Sequence, residues 1–137
     1  MTQAPLIAVD TSVAIPLLVS SHESHAIVLE WAAGQTLALS GHALVETYSV
    51  LTRLPGSARV AGQDAVQLID SNFERRLQLP GDQDTLHREL AQLGIEGGAV
   101  YDALVALAAL KNRAVLATRD ATARTTYETV GVRVLLI

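Results

Sequence analysis

The chain begins with a short apolar run, Leu6-Ile7-Ala8-Val9, that stops at Asp10. A short unbroken run followed by cap-type residues predicts a buried strand. Thr11 and Ser12 are N-cap types, and Val13-Ala14-Ile15 with Leu17-Leu18 predicts a helix behind them. Pro16 is expected only near that helix's first turn, because proline lacks the N–H that a helix interior needs. A second helix is predicted over 21–33, closed by Gly34, and a strand over 36–39. Ser40 caps a helix over 41–54 that Pro55-Gly56 ends. The next helix covers 62–75, with Ala65, Leu68, Ile69 and Phe73 at helical spacing. Arg75-Arg76 reads as its solvated end, and Leu77-Gln78-Leu79 as a third strand. Further on come a helix over 82–93 and another from Gly97-Gly98 to Asn112. A strand over 115–117, a helix over 120–130 and a strand over 132–137 complete the pattern. The strands are unbroken apolar runs between helices. That predicts an α/β domain spanning 1–137: a mostly parallel central sheet of about five strands with helices on both faces.

Composition narrows the function classes. The chain has 137 residues, half of them hydrophobic and 18% charged, as in one globular domain. It has no cysteine, which excludes disulfides, thiolate zinc sites, iron–sulfur clusters and a cysteine nucleophile. The longest apolar stretch, 103–110, falls short of the ~20 residues of a membrane span. The N-terminus lacks the basic region of a signal peptide, so a cytoplasmic protein with no membrane partner is expected. Ten basic against fourteen acidic residues give a net charge of -4, and Lys111 is the only lysine. A general nucleic-acid binder would carry a positive field. Nucleic-acid chemistry here would need an arginine patch, a metal or a basic partner.

Four acids stand where chemistry is expected. In open parallel sheets, ligands bind beyond the carboxyl ends of the strands. Asp10 ends the first strand, and Asp120 follows the fourth across Thr118-Arg119. Either could simply cap a helix. Asp102 is the only carboxylate on an Ala/Leu-rich helix that is apolar in every direction. A carboxylate there needs a cation, a metal or a raised pKa. Glu46 shares a stripe with His42, Ser49 and Arg53, whose plain reading is a solvated face with an intrahelical ion pair. A zinc held by His42 and Glu46 lacks a third ligand at suitable spacing. His22, His25 and His87 read as surface residues in polar helices, and Trp31 and Phe73 as core. No phosphate loop, nucleophile elbow or organic-cofactor motif is present.

The acids occur in an ordered set of motifs: Asp10-Thr11-Ser12, then Glu46, Tyr101-Asp102-Ala103, Thr118-Arg119-Asp120 and a closing Gly131-Val132-Arg133-Val134-Leu135. This set, spread over essentially the whole chain, resembles the PIN-domain ribonucleases, specifically the VapC toxins of type II toxin–antitoxin operons. The resemblance implies an endoribonuclease that uses Mg²⁺, with Mn²⁺ as substitute, to hydrolyse RNA. Asp10 and Asp102 would be metal ligands, and Glu46 and Asp120 would complete the catalytic acidic pocket. Thr11, Ser12 and Thr118 would support those carboxylates. The resemblance also implies a homodimer and a VapB-type antitoxin that blocks the pocket. The apolar stretches around Ile15-Leu17-Leu18 and Ile27-Leu29-Trp31 are the expected dimer face.

One departure stands out. Many family members carry a further acid just after the Thr-x-Asp acid, whereas Asp120 is followed by Ala121-Thr122-Ala123-Arg124. A firm first metal and a weak second one are expected, with Arg119 or Arg124 facing RNA phosphate. Two rivals remain at this level: a non-catalytic PIN-like binding module, and a receiver-like phosphoacceptor domain. The latter would want paired acids after the first strand and a late-strand lysine, and both are missing.

Overall fold

A computed structural model describes residues 4–137. Five strands form one sheet, β1 (Leu6–Val9), β2 (Leu37–Ser40), β3 (Arg75–Leu77), β4 (Ala114–Thr118) and β5 (Val134–Leu136), in the order β3-β2-β1-β4-β5. Every pairing is parallel. Seven α-helices connect them among the described residues: α1 (Thr11–Leu18), α2 (His25–Ala32), α3 (Ala43–Thr52), α4 (Gly62–Asn72), α5 (Leu86–Gln92), α6 (Ala99–Lys111) and α7 (Ala121–Val130). The α/β expectation holds. The chain runs outward from β1 to β2 and β3, then returns to β4 on the other side. Right-handed crossovers therefore put α1–α4 on one face and α6 and α7 on the other.

The inner strands β2 and β4 are buried along their whole length, which is why their sequences are continuous apolar runs. Val9, Val13, Val28, Leu39, Leu51, Phe73, Leu107, Leu116 and Tyr127 fill the space between sheet and helices. Trp31 packs partly buried against this core.

Several local expectations need correction. The fourth helix stops at Asn72, and Arg75-Arg76 are not its end but the start of β3. Pairing with β2 in the register Ala38↔Arg75 and Ser40↔Leu77 decides this, not the apolarity of Leu77 and Leu79. Exposed arginines on such an edge strand also discourage further strands from adding. The helix expected from 82 begins only at Leu86, because the Asp82 carboxylate accepts the Asp84 N–H and holds a turn. Similarly, α2 starts at His25, since the His22 ring accepts the Ser24 N–H across a turn. His22 is thus in a loop. Pro16 lies inside α1, not at its first turn. In the expected dimer face, Ile15 is core, whereas Ile27 and Leu29 are exposed.

Candidate metal centre

The sheet reverses its winding between β1 and β4, and the crevice beyond their carboxyl ends is where an open α/β sheet binds ligands. A cavity of about 380 Å³ opens there. Asp10, Glu46, Asp102 and Asp120 all line it, together with Thr11, Ser12, His22 and Tyr127. Strand β1 delivers Asp10, the first turn of α6 delivers Asp102, α3 delivers Glu46, and Asp120 stands between β4 and α7.

Asp10 is 4% exposed. It occupies the N-cap position of α1, but its side chain caps nothing. Its Oδ1 accepts from Ser12 Oγ at 2.6 Å. Its Oδ2 accepts from Thr118 Oγ1 at 2.6 Å and from Tyr127 OH at 2.7 Å. Three hydroxyl donors use three of a carboxylate's roughly four acceptor sites and fix its plane. The donors are themselves held. Ser12 Oγ accepts the Arg119 N–H at 2.8 Å, and Thr118 Oγ1 accepts the Asp120 N–H at 3.0 Å. Both hydroxyl protons go to Asp10, so the 3.2 Å approach of Ser12 Oγ to Thr118 Oγ1 has no proton to share. Burial and the neighbouring Asp10 carboxylate push the Tyr127 phenol far up, so it stays a donor.

Asp120 does cap a helix: its Oδ1 accepts from the N–H groups of Thr122 and Ala123 at 2.9 and 3.2 Å. Asp120 thus caps α7 and also lines the cavity, and its Oδ2 carries no hydrogen bond among the described residues. Asp102 has no hydrogen-bond or ion-pair partner there. Burial raises its carboxyl above the ordinary carboxylate range, and the charges of Asp120, Glu46 and Asp10 add to this. His42 acts the opposite way. Glu46 lacks the ion pair that its stripe suggested: the described ion pairs are Arg76–Asp70, Lys111–Glu89 and Arg124–Glu128.

Hard cations prefer such an all-oxygen donor set and keep several of their waters. Thr11 borders the cavity, and its buried Oγ1 has no hydrogen-bond partner. Among the described residues, no three Asp, Glu or His side chains converge into a ready-made shell. The donors fit a hydrated cation shared by a few carboxylates better than a closed zinc site.

Arg124 pairs with Glu128 at 2.6 Å. Arg119 donates to Ser24 Oγ at 3.2 Å, tying the turn that carries His22 to the end of β4. Neither arginine lines the acidic cavity. Sequence reasoning missed Tyr127 and placed His22 elsewhere. Tyr127 carried a signal: with Ala123 and Val130 it forms the only buried face of α7. A buried phenol needs an acceptor.

A parallel sheet with acids gathered at its switch point is one of several architectures that bind hard cations. The comparisons specify which. The model of the PIN domain matches residues 7–128, so the chain belongs to the PIN-domain family. The receiver-like alternative is set aside by that match. Over 133 residues, covering 96% of this chain and 97% of the relative, it is 58% identical to Ribonuclease VapC27 of Mycobacterium tuberculosis. It is 40% identical to Ribonuclease VapC40 of the same species over 134 residues, 96% of this chain and 99% of that one. Within the family it falls among the VapC toxins. The fold is also that of VapBC2 from Rickettsia felis, solved bound to a DNA fragment from its promoter. The TM-score is 0.65 at 18% identity, covering 96% of this chain and 98% of that one.

Proposed function

We propose that this chain is the toxin of a toxin–antitoxin pair and acts in the cytoplasm as a divalent-metal-dependent endoribonuclease. One observation carries the reading: four carboxylates from separate parts of the fold line one cavity, and no cation among the described residues pairs with any of them. Like charges gathered this way raise one another's pKa and are costly unless a cation joins them.

Asp10 and Asp102 hold the ion, Mg²⁺ or in its place Mn²⁺. When bound, such an ion supplies positive charge beside the phosphodiester and lowers the pKa of a water. The remaining work falls to side chains. Ser12, Thr118 and Tyr127 keep Asp10 in one orientation. Glu46 and Asp120 orient the attacking water, and one of them accepts its proton. Water attacks phosphorus, the bond to the leaving ribose oxygen breaks, that oxygen takes a proton from solvent water, and no covalent enzyme intermediate forms. A single firm ion site is expected, since Asp120 commits one oxygen to its helix and no acid follows within 121–124.

The relatives named ribonucleases support the substrate class, and VapBC2 supports an antitoxin partner. A cationic inhibitor segment would suit an acidic cavity on a chain of net charge -4, with an arginine bridging carboxylates. The exposed Ile27 and Leu29 of α2 are candidates for a homodimer contact.

The test is a map of RNA 5′ ends in bacteria after brief induction of the wild-type chain or of Asp102→Asn. New ends at a few sites with wild type only support the reading. Identical maps from two soluble, folded proteins count against it.

A further inference from the structure

A second groove, of about 500 Å³, adjoins the acidic cavity and shares Glu46 and Asp102 with it. Its other walls include His42, Ser49, Arg53 and Tyr101. The metal-centre chemistry has no use for these four. The Tyr101 ring is 57% exposed, in the first turn of α6 and directly before Asp102. The His42 ring lies 5.1 Å from it at 31°. An exposed tyrosine braced by a second ring offers a pre-ordered flat surface. Arg53 is exposed at the C-terminal end of α3 and makes no ion pair among the described residues. Glu46 and Arg53 are seven residues apart on that helix, so their backbones stand about 10 Å apart along its axis. The groove thus has acids at one end, an aromatic wall and a cation at the other.

From this arrangement we infer that the groove is the substrate subsite next to the scissile bond, taking an unpaired RNA nucleotide. Its base stacks on Tyr101, which His42 braces, and its phosphate meets Arg53. The inference rests on the ribonuclease reading and assigns Tyr101, His42 and Arg53 of this chain to substrate contact. A base held inside a duplex cannot reach the ring, so the subsite selects single-stranded segments such as loops. Arg53 supplies local positive charge that the overall charge of -4 does not. Glu46 and Asp102 keep the phosphate away from the acidic end unless a cation is bound there.

The test uses the full chain carrying Asp120→Asn, a residue outside the groove that is not assigned to hold the ion, to block cleavage while RNA binding is measured with Mg²⁺ present. The probes are a fluorescein-labelled 12-nucleotide single-stranded RNA and the same strand in a 12-base-pair duplex. The single strand should bind more tightly than the duplex. Adding Tyr101→Ala should weaken single-strand binding by roughly 5- to 100-fold and reduce that preference. Tyr101→Phe should keep both, because it retains the ring. Arg53→Ala should weaken binding to any single strand and lower the salt slope by about one. Single-strand binding within twofold of the parent in Tyr101→Ala overturns the subsite. Wild-type RNA cleavage that persists unchanged with Tyr101→Ala overturns the subsite alone. Failure of the wild-type chain to cut RNA and of the parent to bind it overturns both readings.

Discussion

At the scale of single residues, Asp10 and Asp102 are opposites. Asp10 accepts from three hydroxyl donors, whereas Asp102 has none and sits among like charges. Tyr127→Phe removes one hydroxyl from Asp10 and leaves the buried ring in place. A hydrogen bond to a charged group contributes about 1.5–3 kcal/mol. The variant should therefore lose about that much stability while still folding, and, because a partner that orients a ligating carboxylate is gone, lose roughly 10- to 100-fold in cation affinity or in kcat/KM, read by calorimetry and RNA cleavage. Asp102 sets a pH dependence. Its folded-state pKa is raised, so the metal-free native state holds this proton more tightly than the unfolded chain does. Metal-free stability should then fall as pH rises from the ordinary aspartate value of about 3.9 through the raised one, and stay lower above it. The contribution of one such proton to the slope is at most about 1.4 kcal/mol per pH unit. Urea titrations of wild type and Asp102→Asn across this range check the sign: the asparagine variant should lose that component. Equal slopes would mean that Asp102 is not strained by its neighbours.

At the scale of elements, the site depends on how closely α3 and α6 approach. Gly41, in the turn from β2 to α3, has φ +52°, and a Cβ there would meet Ala108 Cβ at 2.9 Å and the Leu104 carbonyl oxygen at 3.0 Å. Gly41→Ala should cost about 2–4 kcal/mol from backbone strain and overpacking together. Gly34 also has positive φ, but a Cβ there meets nothing, so Gly34→Ala should cost about 1–2 kcal/mol. Denaturant midpoints compare the two. Ser40 adds a tether, its buried Oγ donating to the Val105 carbonyl at 2.8 Å and fixing α6 against β2. The buried strands and α6 were legible in the sequence, because continuous apolar runs have few other uses. β3 was displaced by two residues, since strand register is a tertiary property and its arginines look like a helix end. The starts of α2 and α5 were missed where His22 and Asp82 side chains compete for backbone N–H groups. Asp10, Glu46, Asp102 and Asp120 were legible as an ordered set. The Tyr127 bond to Asp10 was not, because it joins residues 117 positions apart through the fold.

At the scale of the whole molecule, a chain of net charge -4 gathers four of its fourteen acids beyond the carboxyl ends of its strands and has few unpaired cations to meet RNA. The charge that RNA requires then has to come from the bound ion and from isolated arginines such as Arg53. Calorimetric titration with Mg²⁺ should give one dominant class of site per chain, weakened strongly by Asp102→Asn. Two equally tight sites would contradict the reading of Asp120 as partly committed to its helix. The most direct test of the central claim incubates the purified chain with bacterial total RNA and maps 5′ ends by sequencing. Wild type with Mg²⁺, wild type with EDTA, and Asp102→Asn with Mg²⁺ are run side by side. Discrete new ends in the first sample only are the predicted result. The same ends with EDTA, or with Asp102→Asn, would contradict a cation-dependent reaction at this carboxylate cluster.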